Sequence, residues 1–127
     1  MSGNATDSIG GNTLTNNNTV TYSSGKLRNG ANFVAASSQS LSATSLSYLT
    51  DMWTYSGWFK PNNTNTTNKT FFSFAPTSGN VNKTQIEGLA GGGLRCLVYS
   101  SGGSTHKEYQ TTTTLTASVW SHVAMTW

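Results

Sequence analysis

Charge is scarce in this sequence: only 9% of its 127 residues are charged, seven Lys or Arg against four Asp or Glu. The cations Lys26, Arg28, Lys60, Lys69, Lys83, Arg95 and Lys107 are scattered almost singly. No basic stripe exists to track a phosphate backbone, so no nucleic acid partner is expected. Cysteine is equally sparse. Cys96 stands alone, which excludes an internal disulfide and a cysteine-based metal site. Within Leu94-Arg95-Cys96-Leu97-Val98-Tyr99 it reads as a small buried apolar residue of a strand. No apolar run approaches the roughly 18 residues that a membrane-spanning helix needs, so membrane insertion is not expected. Met1-Ser2-Gly3-Asn4 has neither a charged nor an apolar leader pattern, and no signal peptide is expected within these residues. Good helix formers are also few, which argues against a helical bundle.

Small uncharged residues fill the space instead. The 21 Thr, 18 Ser, 13 Asn and 13 Gly make up half the chain, while four Trp, five Tyr and five Phe supply something to bury. Residues 1–19 contain little that is large and apolar and read as loop and turn. Thr19-Val20-Thr21-Tyr22 alternates as a short strand. After the turn signal Arg28-Asn29-Gly30, Ala31, Phe33 and Ala35 fall on one face of another, and Gln39 to Ala43 is a further extended piece. Leu46, Tyr48 and Leu49 suggest an irregular or helical turn.

The strongest strand is Met52 to Lys60, with Trp53, Tyr55, Gly57 and Phe59 on one side and Thr54, Ser56, Trp58 and Lys60 on the other. Pro61 ends it, because proline has no N–H for the ladder. Phe71 to Phe74, Lys83 to Leu89, the run around Cys96, Tyr109 to Thr116 and Val119 to Trp127 continue the series. They are separated by the Asn/Thr loop 62–69 and by turns at 76–82, 90–93 and 100–104. Short strands at intervals of about ten residues predict an antiparallel sandwich or barrel. The last strand runs apolar into the end of the sequence, and an unprotected edge of that kind invites aggregation. The expectation is therefore an incomplete domain whose missing strands belong to a longer parent chain.

Three segments carry a resemblance to a known family. Asp7-Ser8-Ile9-Gly10-Gly11-Asn12, with Ser24-Gly25-Lys26-Leu27-Arg28-Asn29-Gly30-Ala31-Asn32-Phe33, is similar to "D-x-S-G-N-G-N … G-K-x-G-N-A-x-x-F". Trp53-Thr54-Tyr55-Ser56-Gly57-Trp58-Phe59-Lys60-Pro61 is similar to "F-T-I-S-A-W-V-K-P", and Trp120-Ser121-His122-Val123-Ala124-Met125-Thr126-Trp127 to "W-x-H-V-A-x-T-Y-D". In this order they resemble the laminin G-like, concanavalin A-like jelly-roll domains of bacterial and phage surface proteins. The resemblance implies an all-β, antiparallel two-sheet jelly-roll sandwich, one partial domain over 1–127, at a cell or virion surface. It places Phe33, Trp53, Tyr55, Phe59, Phe72, Leu94, Cys96, Val98, Val123 and Met125 in the core.

A glucanase of that superfamily needs two carboxylates at i and i+4 on one strand. The acids Asp7, Asp51, Glu87 and Glu108 offer no such pair. No Gly-x-Ser-x-Gly elbow accompanies His106, which reads as exposed, or His122, which reads as a semi-buried structural histidine. No enzyme is expected. For metals, the Asp7 loop, with Asn12, is the one place that could help hold calcium, although turn formation is the stronger explanation of those residues; no cofactor is required.

Neutral sugars need an aromatic platform with hydroxyl and amide groups around it. Trp58 and Lys60 on one strand face, completed by Tyr99, Tyr109 and loop residues such as Asn62 and Asn65, are the candidates. The expected role is non-catalytic binding of a glycan or a surface protein. The alternative is a structural spacer of an adhesin or fibre with no ligand of its own. The six Asn-x-Ser/Thr sequons, at Asn4, Asn17, Asn62, Asn65, Asn68 and Asn82, follow from composition and carry no functional weight.

Overall fold

A computed structural model describes residues 4–6, 11–44, 53–64, 68–75, 83–100 and 106–127. The chain forms two compact units, Met1–Leu49 and Thr50–Trp127. The turn expected at Leu46 to Leu49 and most of the 100–104 loop lie outside the described residues.

In the first unit, strand β1 (Thr15–Asn17) pairs antiparallel with β4 (Ser40–Ser42), and β2 (Thr21–Ser24) with β3 (Asn29–Asn32). Asparagine and glutamine side chains bind it together. Asn16 clamps its own turn from both sides: its Nδ2 donates to the Val20 carbonyl at 2.9 Å and its Oδ1 accepts from the Val20 N–H at 2.7 Å. That clamp spans Asn18 and Thr19, which both hold positive φ, at 57° and 60°. Gln39 donates to the carbonyls of Asn18 and Thr19 at 2.9 and 2.8 Å and accepts from the Val34 N–H at 2.6 Å. Asn17 Nδ2 reaches Ser42 Oγ at 2.9 Å across the β1–β4 pair. Short polar side chains here replace backbone partners that regular ladders would supply.

Three expectations change in this unit. β1 falls inside the stretch read as loop. β3 stops at Asn32, and Ala35 enters a 3-10 turn, Ala35–Ser37, that ends on Ser38 at φ 49°. Phe33, expected in the core, is 47% exposed because it lies just past the end of β3.

The second unit is a sandwich of two antiparallel sheets. β5 (Thr54–Phe59) pairs with β10 (Ser121–Thr126), and β6 (Lys69–Phe74), β7 (Thr84–Gly88), β8 (Leu94–Tyr99) and β9 (His106–Gln110) follow one another in a four-stranded meander. Period-two alternation aims Tyr55, Phe59, Val123 and Met125 at the opposing Ile86, Leu94, Cys96 and Val98. Between Thr70 and Phe72 the register of β6 slips by one residue. The bulge lets consecutive Phe71 and Phe72 both meet rings of β5, Phe71 on Phe59 at 4.7 Å and Phe72 on Tyr55 at 4.0 Å. Phe72 keeps 38% of its surface in solvent, so it is a rim residue of the core, while Ile86, at 1%, is its centre.

Burial pushes the Tyr55 hydroxyl and the Cys96 thiol above their ordinary pKa values. Tyr55 keeps a hydrogen bond of 3.1 Å to the Thr84 hydroxyl. The strand expected over Tyr109 to Thr116 instead ends at Gln110. Thr111 Oγ1 accepts from the Leu94 N–H at 3.2 Å and donates to the Thr113 carbonyl at 2.7 Å, so a threonine hydroxyl supplies what the ladder would have supplied.

Candidate ligand-binding site

The outer face of the β5–β10 pair is set by register. Thr54 stands opposite Thr126, Ser56 opposite Ala124 and Trp58 opposite His122. Phe59 faces Ser121, so the same alternation sets Lys60 beside Trp120 at the end of the pair. The Trp58 and His122 rings meet edge to face with centroids 5.2 Å apart, and Lys60 Nζ lies 5.4 Å from the centre of the Trp120 ring. The Thr54 and Thr126 hydroxyls share a hydrogen bond of 3.1 Å. Trp58 is 39% exposed, and Lys60, His122, Ala124 and Thr126 are exposed. Two indoles, an imidazole, an ammonium and a row of hydroxyls thus share one solvated face. None of these side chains is a carboxylate.

The outer face of the four-stranded sheet has a different character. Register places Glu87 beside Arg95 and Arg95 beside Gln110, and in the next row Gln85 beside Leu97 and Leu97 beside Glu108. Arg95 donates from Nε and Nη2 to Glu87 Oε2 at 2.9 and 2.5 Å, and its Nη1 lies 3.9 Å from Glu108 Oε1. Gln85 hydrogen-bonds Glu87, and Gln110 hydrogen-bonds Glu108. Hydrogen bonding to Glu87, reinforced by its charge, raises the Arg95 pKa beyond its already high value. At the end of this face, the Tyr99 and His106 rings meet at a tilt with centroids 5.0 Å apart, Lys83 Nζ lies 5.8 Å from the centre of the Tyr99 ring, and His106 Nε2 is 3.7 Å from Glu108 Oε2.

This network ties β7, β8 and β9 together. Because Glu87 is buried, Glu87→Gln leaves Arg95 without its main partner. The expected cost is about 1–2 kcal/mol, below that of a fully buried pair because the Arg95 side chain retains 24% exposure. A double-mutant cycle with Arg95→Met, read by urea unfolding, measures the coupling. A coupling near zero would show that the two side chains act independently.

The residues singled out in the sequence do not all meet. Trp58 and Lys60 share the β5–β10 face, and Asn62 is exposed just beyond Pro61. Tyr99 belongs to the outer face of the other sheet. Tyr109, opposite Cys96, is on the reverse face of that sheet and is 59% exposed on its edge strand. Alternation separates the two tyrosines. Asn12 is exposed ahead of β1, while Asp7 and Asn65 lie outside the described residues. Among the described residues, no group of three His, Cys, Asp or Glu side chains converges as a metal site would require.

His122, read as semi-buried, is exposed and meets Trp58 edge to face. The parity of Trp120, His122, Ala124 and Thr126 was the available signal, masked by the apolar look of the run. The pairing of Glu87 and Glu108 around Arg95 left no local signal, since the three lie on three different strands.

Opposed antiparallel sheets around an aromatic core define an all-β sandwich consistent with a jelly roll. Residues 28–127 match the laminin G-type model of the concanavalin A-like lectin/glucanases superfamily, and the chain belongs to that superfamily. No curated protein and no solved structure matches the chain. Laminin G-like domains are typically non-catalytic binding modules and are commonly extracellular. Among the described residues, no helix is long and apolar enough to cross a membrane.

Proposed function

We propose that this chain is a non-catalytic module that binds a carbohydrate through the outer face of β5 and β10, at a cell or virion surface. The observation that carries the reading is the exposed Trp58, braced by His122 and flanked by Lys60, Trp120 and a row of hydroxyls. A half-open indole offers its face to the C–H groups of a pyranose, and neighbouring hydroxyls and the ammonium supply hydrogen bonds. Hydrolysis is not part of the reading. A glycosidase needs one carboxyl group free to give a proton and a second free to attack or to activate water. Glu87 and Glu108 are instead gathered around one guanidinium.

The test is a glycan array followed by titration of the hits. Trp58→Ala is expected to weaken binding more than tenfold, the effect of removing an aromatic anchor worth about 2 kcal/mol. Lys83→Ala, on the other sheet, should leave binding unchanged. A folded wild-type chain that binds no glycan would leave the spacer role standing. Full binding by Trp58→Ala would move the site elsewhere.

A further inference from the structure

The Lys60 end of the outer face of β5 and β10 is rich in hydrogen-bond donors. Trp58, His122, Lys60 and Trp120 occupy four adjacent positions as a checkerboard, each indole beside a nitrogen base. An ammonium donates three hydrogen bonds and accepts none, and an indole N–H only donates. Glu87 and Glu108 both lie on the outer face of the other sheet, tied to Arg95. A ligand seated at Lys60 and Trp120 must therefore bring acceptors to that end, and a negative charge there would meet no opposing carboxylate from the residues of that face.

We infer that the ligand is an acidic glycan, a polymer of uronic acid, with its pyranose ring on Trp58 and its carboxylate on Lys60. The inference rests on the carbohydrate-binding reading and adds the class of sugar. Lys60 is suited to the task because its ammonium is already held against the Trp120 ring, which limits the side-chain freedom lost on binding. The strand fixes the spacing. Residues two apart on one face are about 7 Å apart, so an indole and a cation at 58 and 60 sit within the span of one sugar ring and its carboxylate.

The experiment titrates the 127-residue chain with oligomers of galacturonic, glucuronic and mannuronic acid, each alongside its uncharged methyl ester, with dextran sulfate and the neutral hits of the array as further arms. At least one acid is expected to bind about fivefold or more tighter than its own ester at low salt, with the gap closing in 0.5 M NaCl as the charges are screened. Lys60→Gln should bring the acid-to-ester affinity ratio to about one, whatever it does to binding of the ester itself. Lys60→Arg should retain it, and Lys83→Gln should have no effect.

Equal affinity for every acid and its ester overturns the inference, as does a gap that survives Lys60→Gln. Preference for dextran sulfate over every uronate overturns it too, since attraction would then follow charge density alone. Binding of neutral glycans without any uronate sinks the acidic class and leaves the carbohydrate reading intact. Binding of no glycan at all sinks both.

Discussion

Ile86→Ala is expected to lower the stability of the chain by about 3–5 kcal/mol, the range for truncating a fully enclosed aliphatic side chain. Ile86 is 1% exposed at the middle of β7, an inner strand with β6 on one side and β8 on the other. Phe72 and Cys96 flank it along the sheet, and Val123 and Met125 close over it from the opposing pair. Residues packed from two sheets cannot all relax into the space left by three carbons, so a cavity term adds to the lost transfer free energy. A domain of this size has about 5–15 kcal/mol in total, so the variant loses a large part of its margin. Urea unfolding of Ile86→Val, expected to lose about 1 kcal/mol, grades the effect. Leu27→Ala, at a side chain 80% exposed, should change stability by less than about 0.5 kcal/mol. An Ile86→Ala cost below about 1 kcal/mol would mean that the core is centred elsewhere.

Gly92→Ala comes next, at about 2–4 kcal/mol, from two separable causes. Gly92 has φ +92°, where a side chain is disfavoured by about 1 kcal/mol. A Cβ built there would also lie 2.6 Å from the Leu115 carbonyl oxygen and 3.3 Å from Thr64 Cγ2. That contact is hard to relieve, because the Gly92 carbonyl accepts from the Leu115 N–H at 2.7 Å and the adjacent Gly91 N–H donates to the Thr64 carbonyl at 2.8 Å. Gly91 makes the internal control: its φ is +84°, yet a Cβ there meets nothing within 4 Å. Gly91→Ala should therefore show only the backbone cost. Thermal unfolding of the two variants side by side separates conformational strain from steric contact. Equal losses would remove the close approach to Leu115 from the account.

Much of the second unit was legible in advance. The faces of β5 follow from alternation alone, and Trp53, Tyr55, Gly57 and Phe59 do point away from Thr54, Ser56 and Trp58. Pro61 and the glycines at 90–93 mark their boundaries for reasons confined to a few residues. The polar first unit was harder to read. Its strands are held by amide side chains, whose bonds depend on which backbone groups the fold leaves unpaired. A threonine run such as 111–114 is ambiguous for the same reason, since its hydroxyls can serve a ladder or replace it.

Which side chains become neighbours across strands is a separate matter. The sequence by itself determined an all-β chain, its principal strands and the two sides of each, because side-chain alternation is a property of the single strand. Only the tertiary structure decided that Trp58 meets His122, that Lys60 meets Trp120 and that one arginine gathers Glu87 and Glu108. Pairing and register join segments far apart in the chain. A shift of one residue would send every side chain of a strand to the opposite face, so long-range packing of the core, not local preference, placed the candidate site.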